Sequence, residues 1–150
     1  MEIMIMANIA ASMNGYLSDL VVSYLKLHDL HWNVKGPQFV DVHKYTEARY
    51  EDMAEKFDEI AELILMHEEK PVSSIAEYVK LASIKEMGKE SYRDSEVLQI
   101  LIDDLSALKA EAAKVRAEMA ENDIFDVVAV LEDHIAGYNK ELWFLKSMMA

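Results

Sequence analysis

Six side chains in the first half of the chain have the types and spacing of a metal site: His28, His31, His43, Glu47, Asp58 and Glu62. Imidazole and carboxylate together suit iron, manganese or zinc, and a chain without cysteine offers no thiolate to select a softer ion. His43 and Glu47 are four residues apart, as are Asp58 and Glu62, so each pair shares one face of any helix that carries it. His31 lies five residues before Gly36, and His43 lies six after Pro37. In a helical hairpin turning at that Gly-Pro step the two imidazoles fall at similar heights. Packed helix axes run about 8–10 Å apart, so both rings can reach one ion.

The histidines and the second acidic pair cannot meet within one chain. Fifteen residues along a helix put Asp58 about 22 Å from His43. Fifteen steps of about 100° nevertheless leave them only about 60° apart around the axis. A two-fold axis crossing the helix near Met53 resolves the conflict. It sets His31, His43 and Glu47 of each chain against Asp58 and Glu62 of the partner subunit, and Ala54 on that face permits close approach. The spacing thus suggests two equivalent sites at an isologous dimer interface. Each feature alone has a plainer reading: an acidic pair as a solvated helix face, a histidine near a helix end as a surface or capping residue. Their conjunction on one face, across one turn, brings the site level with those plainer readings.

The elements that must position these residues are legible from sparse punctuation. The chain has 150 residues, four Gly and two Pro, which favours long helices in one domain over an α/β fold with many tight turns. Apolar residues recur at helical spacing over 5–34, with Ile9, Met13, Tyr16, Leu17, Leu20, Tyr24, Leu27 and Leu30, until Gly36-Pro37 ends the pattern. A second helix is expected from about Phe39 to Met66, stopped by Lys70-Pro71. A short helix is expected over Ile75 to about Leu81, capped by Ser73 or Ser74. A third long helix opens at Ser95 and runs to about Met119. Asn122-Asp123 breaks it, and Asp123 is expected to cap a fourth from Ile124 to about Met148. The fold class is therefore all-α, a four-helix bundle with one long crossover holding a short helix. A single long crossover points to the ferritin-like arrangement. No Glu-x-x-His occurs in the chain, which argues against the intrachain di-iron site of a conventional ferritin or rubrerythrin.

The run from His28 through Trp32, Gly36 and Phe39, then His43, then Asp58-Glu59-Ile60-Ala61-Glu62, resembles the signature of the Dps miniferritins. Lys70-Pro71-Val72, Ala82-Ser83-Ile84-Lys85-Glu86 and Glu141-Leu142-Trp143 also look like that family's segments, so the resemblance spans the chain. It implies a dodecameric shell built from two-fold dimers, with Fe²⁺ oxidised at the dimer interface, preferentially by hydrogen peroxide, and ferric mineral stored inside. By position it implies His31 and His43 as ligands from one subunit and Asp58 and Glu62 from the partner. Glu47 stands where many members have Asp, adding a methylene at that metal ligand. Other divalent metals are expected to compete for the same site. Trp32 beside a ligand would intercept oxidising equivalents or pack at the interface, and His28 would either support the metal ligands from behind or be structural.

Further acids extend the pattern. By the resemblance, the stripe Asp52, Glu55 and Glu59 can face a cavity and nucleate mineral, and Glu121, Asp123 and Asp126 can line a pore that draws Fe²⁺ inward. Both clusters read equally as solvated faces. His67 and His134 carry no partner pattern and read as surface residues. Ten scattered Met residues read as core filling. The formal charge of −13 repels phosphate backbones, and no Lys or Arg precedes Lys26, so DNA compaction is not expected. The apolar stretch 1–8 lacks a positive flank and no apolar run approaches about 18 residues, so export and membrane insertion are not expected, and a cytoplasmic location is.

Overall fold

The computed structural model describes residues 2–150, with side chains described from Ile9 onward. The apolar stretch 1–8 therefore lies outside the described side chains. Four long helices, α1 (Glu2–Asn33), α2 (Phe39–Met66), α4 (Asp94–Glu121) and α5 (Phe125–Met149), form the bundle. A short α3 (Ile75–Leu81) lies in the crossover between α2 and α4. Helix α1 packs along α2, α4 packs along α5, and α1 also meets α3 and α4. Leu17, Leu20 and Leu30 of α1, Met53, Ile60 and Ile64 of α2, Leu98, Leu101 and Leu105 of α4, and Leu131 and Leu145 of α5 close the core. Among the described residues no helix is long and apolar enough to cross a membrane.

The breakers act where their chemistry demands. Phe39 N–H bonds Gly36 O at 3.1 Å, so the turn after the first helix feeds directly into α2. Ser74 caps α3 by accepting Glu77 N–H at 3.3 Å. The bounds of α2 and α3 are those the sequence suggests.

Two helix starts differ from expectation. Helix α4 begins at Asp94, one residue before Ser95, because Tyr92–Arg93 form a two-residue strand β2. It pairs in parallel with β1, Val34–Lys35, with Val34 opposite Tyr92. Helix α5 begins at Phe125, and Asp123 does not cap it. Asp123 adopts a left-handed φ of 58°. The junction is closed instead by Ile124 N–H on Met119 O and by the Asp126 carboxylate accepting Val127 N–H. Short strand pairing leaves no periodic signal, which is why the β1–β2 clasp is invisible to pattern reading.

Candidate metal centre

At the end of α1 and the start of α2, His31 and His43 stack face to face, with ring centroids 3.6 Å apart and planes 14° from parallel. The pair is fixed by exchange of backbone contacts. His31 Nδ1 donates to His43 O at 2.7 Å, and His43 Nδ1 donates to His31 O at 2.8 Å. A carbonyl oxygen only accepts, so each Nδ1 carries a proton and each Nε2 keeps its lone pair. Thr46 Oγ1 lies 3.1 Å from His31 Nδ1 and itself donates to Val42 O. Orienting a ligand imidazole through Nδ1–H is the usual way proteins prepare Nε2 for a metal. Phe39 also stacks on His43, with centroids 5.1 Å apart.

Asp58 and Glu62 lie farther along the same unbroken α2, fifteen and nineteen residues from His43. They face an exposed concavity with Glu55, Glu59, Leu63, Met66 and Val130. The single chain does not bring them to the histidines. Among the described residues, no three His, Asp or Glu side chains converge to hold a metal. The chain thus carries an imidazole half where α1 meets α2 and a carboxylate half farther along α2, each short of a full ligand set. Glu47 is exposed one turn beyond His43, with Tyr50 Oη 3.4 Å from its carboxylate. His28 is structural: Nδ1 donates to Tyr24 O at 2.8 Å, and the ring stacks on Tyr50 at 3.8 Å. Trp32 is exposed beside His31, its ring 5.4 Å from His28.

One expectation is overturned. His134 is buried rather than on the surface. Its Nε2–H donates to Glu59 at 2.7 Å, which leaves Nδ1 to accept from Tyr16 Oη at 2.9 Å, and Tyr138 Oη lies 2.5 Å from Tyr16 Oη. Burial holds the His134 imidazole below its ordinary range against the opposing pull of Glu59, and burial raises the Tyr16 phenol well above its own. The signal was in the sequence, since His134 keeps the helical register of Leu131, Tyr138, Leu142 and Leu145. In the stripe of Asp52, Glu55 and Glu59, Glu55 and Glu59 line the same concavity as Asp58 and Glu62. Asp52 pairs with Lys56, and Glu59 holds His134. At the other end of the bundle, Asp126 pairs with His67 Nε2 at 2.9 Å, while Glu121 and Asp123 are exposed.

A polar layer that the sequence did not suggest crosses the bundle. Lys26 is buried and pairs with Asp104 at 2.8 Å, and Arg49 lies 3.3 Å from Glu141, which also accepts from Tyr45. Burial raises the Asp104 carboxyl above its usual range, against the opposing Lys26 charge.

A ferritin-like domain model matches residues 10–150. A DNA protection during starvation protein of Helicobacter pylori is 32% identical over 133 residues, covering 89% of this chain and 92% of that one. A protein of the same name from Brevibacillus brevis is 33% identical over 143 residues, covering 94% of each. Among solved structures, a DPS protein from Vibrio cholerae, described as a member of a superfamily of ferritin-like diiron-carboxylate proteins, superposes with a TM-score of 0.94 at 28% identity. That match covers 98% of this chain and 92% of the other.

Proposed function

This chain belongs to the ferritin-like domain family, and within it to the Dps miniferritins, and from that premise we propose that it is a ferroxidase and iron store. It takes up Fe²⁺ as substrate, oxidises it at sites shared by two subunits, preferentially with hydrogen peroxide, and holds the ferric product as mineral inside a closed homo-oligomer. The observation that carries the reading is the division of α2. Two imidazoles with free Nε2 atoms, His43 of α2 and His31 of α1 beside it, lie at its first turns, and a carboxylate pair lies on its other half, about 22 Å from His43.

In this reading His31 and His43 present Nε2 lone pairs to the ion, and Asp58 and Glu62 of the partner subunit supply oxygen ligands. Glu47 adds a further carboxylate, with its extra methylene reaching farther from α2. Hydrogen peroxide accepts one electron from each of two ferrous ions and, taking up two protons from solvent, leaves as two waters, so no hydroxyl radical is released. That removes Fe²⁺ and peroxide together and protects against oxidative damage. Iron loading explains why two histidines are locked into one tautomer at an otherwise solvated corner of the bundle. Other divalent cations of similar ligand preference compete for these donors.

The chain acts as one ferritin-like domain over 1–150 in a cytoplasmic shell. A dodecamer of 17.1 kDa subunits would have a mass of roughly 205 kDa. With a net charge of −13 it does not retain duplex DNA at about 150 mM salt. The test is anaerobic Fe²⁺ loading followed by a peroxide pulse, with ferric absorbance followed in time. Rapid absorbance at about two Fe²⁺ per peroxide supports the reading. Oxidation no faster than in buffer would leave a non-catalytic helical bundle, and a gel shift without bridging metal would favour DNA compaction.

A further inference from the structure

The stacked imidazoles depend on the α1–α2 turn, and that turn is held from outside the hairpin. Asp94, the first residue of α4, is almost fully buried. Its Oδ2 accepts Gln38 N–H at 2.8 Å, and its Oδ1 accepts Ser95 N–H at 2.8 Å. One carboxylate therefore ties the first residues of α4 to the last residue before α2. The hydrogen bond from Gln38 is the leading reason that the Asp94 carboxyl sits below its usual range. Gly36 completes the fit. It has φ 135°, and a Cβ there would stand 2.5 Å from Asp94 Oδ2, so the turn passes the carboxylate at a distance only glycine allows.

Neighbouring contacts reinforce the tie on the α1 side. Val34 pairs with Tyr92, Tyr92 Oη donates to Asp29 Oδ2 at 2.7 Å, and Asn33 Nδ2 donates to Asp29 Oδ1 at 2.8 Å. The exchanged bonds between His31 and His43 require their two backbones to hold one separation and one register. The turn at 34–38 is the covalent link that sets both, and residues 92–94 hold it from the α4 side, through the Val34–Tyr92 pairing and the Gln38–Asp94 hydrogen bond.

We propose that Asp94 is the positioning residue of the metal half-site. By anchoring the Gly36–Gln38 turn it holds His31 and His43 in the register that presents both Nε2 atoms to one cation. The proposal rests on the histidine pair being a metal site. It assigns to the distal end of the crossover a function in ion binding, beyond joining α2 to α4.

Co²⁺ reports the test, because its visible absorption changes with nitrogen and oxygen ligation. Titrations are run on the assembled protein. Asp94→Ala should weaken Co²⁺ binding about 10-fold or more and alter the visible spectrum, as removal of a group behind a metal ligand commonly does. Asp94→Asn keeps an oxygen acceptor for Gln38 N–H and should restore most of the affinity. Gly36→Ala presses on the same contact from the other side and should reproduce the loss. The control is Asp19→Ala. Asp19 accepts from Ser83 N–H, Ser83 Oγ–H and Ile84 N–H, so it ties the same crossover to α1 away from the turn. It should lower the melting temperature and leave Co²⁺ affinity unchanged. Wild-type affinity in folded Asp94→Ala, or equal losses in Asp19→Ala, would overturn the assignment. If wild type and His31→Ala/His43→Ala bind Co²⁺ alike, the metal-site reading itself falls.

Discussion

The two halves of α2 solve the same chemical problem in opposite ways. At its first turns, His43 stacks on His31, both Nδ1 atoms are committed to backbone carbonyls, and His31 is only 5% exposed. From Asp58 to Glu62 the carboxylates stand in an open concavity. The imidazole half is therefore completed by the fold of one chain, and the carboxylate half only by whatever faces it. The difference follows from the groups. A buried ring must have its N–H satisfied, and doing so fixes which nitrogen is left for the ion. A carboxylate left in water has no such cost, and its conformational entropy is surrendered only when the cation arrives.

The strongest way to break this comparison is to delete one half at a time. His31→Ala/His43→Ala and Asp58→Ala/Glu62→Ala should each slow peroxide-driven Fe²⁺ oxidation by about 100-fold, at or above the upper end of what loss of a group behind a ligand costs. Stopped-flow ferric absorbance measures both. The two variants should differ in stability, because only the first removes a buried, hydrogen-bonded ring. It should unfold at lower urea, whereas the second should change little or gain stability from fewer like charges.

His134 sharpens the comparison, being a histidine locked as firmly as His31 but with both nitrogens engaged. His134→Ala leaves the Tyr16 and Tyr138 hydroxyls short of a partner in the core and opens a cavity. A loss of about 2–4 kcal/mol in urea unfolding is expected. Initial Fe²⁺ oxidation should stay near wild type, because neither nitrogen is free for an ion.

A smaller effect appears with pH. His134 is held below its ordinary range by burial, with Lys56 acting in the same sense and Glu59 against. On acidification the unfolded chain takes up this proton first, so stability is full above about pH 6.5 and declines as the pH falls below it, by at most about 1.4 kcal/mol for each unit of depression. Chemical denaturation at pH 7 and pH 5.5 should show that decline in wild type and a shallower one in His134→Asn. Equal slopes would remove His134 as the titrating group.

Much of this was legible in the sequence, for local reasons. Pro37 and Ser74 act on their immediate neighbours, so the starts of α2 and α3 could be placed from composition alone. The incompatibility of His43 and Asp58 within one site needed only the rise of a helix. What escaped depends on partners distant in sequence. Asp123 has the side chain of a cap, but its left-handed backbone forecloses that use. The clasp of Val34 on Tyr92, the pairing of Lys26 with Asp104 and the chain from Tyr138 through Tyr16 and His134 to Glu59 join residues 58 to 122 positions apart. His134 was the readable exception, because its place in the apolar stripe of α5 marked it as inward-facing.

The central claim is that the two halves of one site come from different subunits, and complementation tests it most directly. A His31→Ala/His43→Ala chain and an Asp58→Ala/Glu62→Ala chain are co-expressed with different tags and purified through both. Each homodimer lacks any whole site. In a mixed dimer the first chain still offers Asp58 and Glu62 and the second still offers His31 and His43, so one site of two is intact. The His31→Ala/His43→Ala chain paired with a chain carrying all four changes is the control, because no dimer in that shell has an intact site. The mixed assembly should recover part of the fast ferric phase after a peroxide pulse, and the control should not. An assembled, folded mixture as slow as either parent would contradict the shared site.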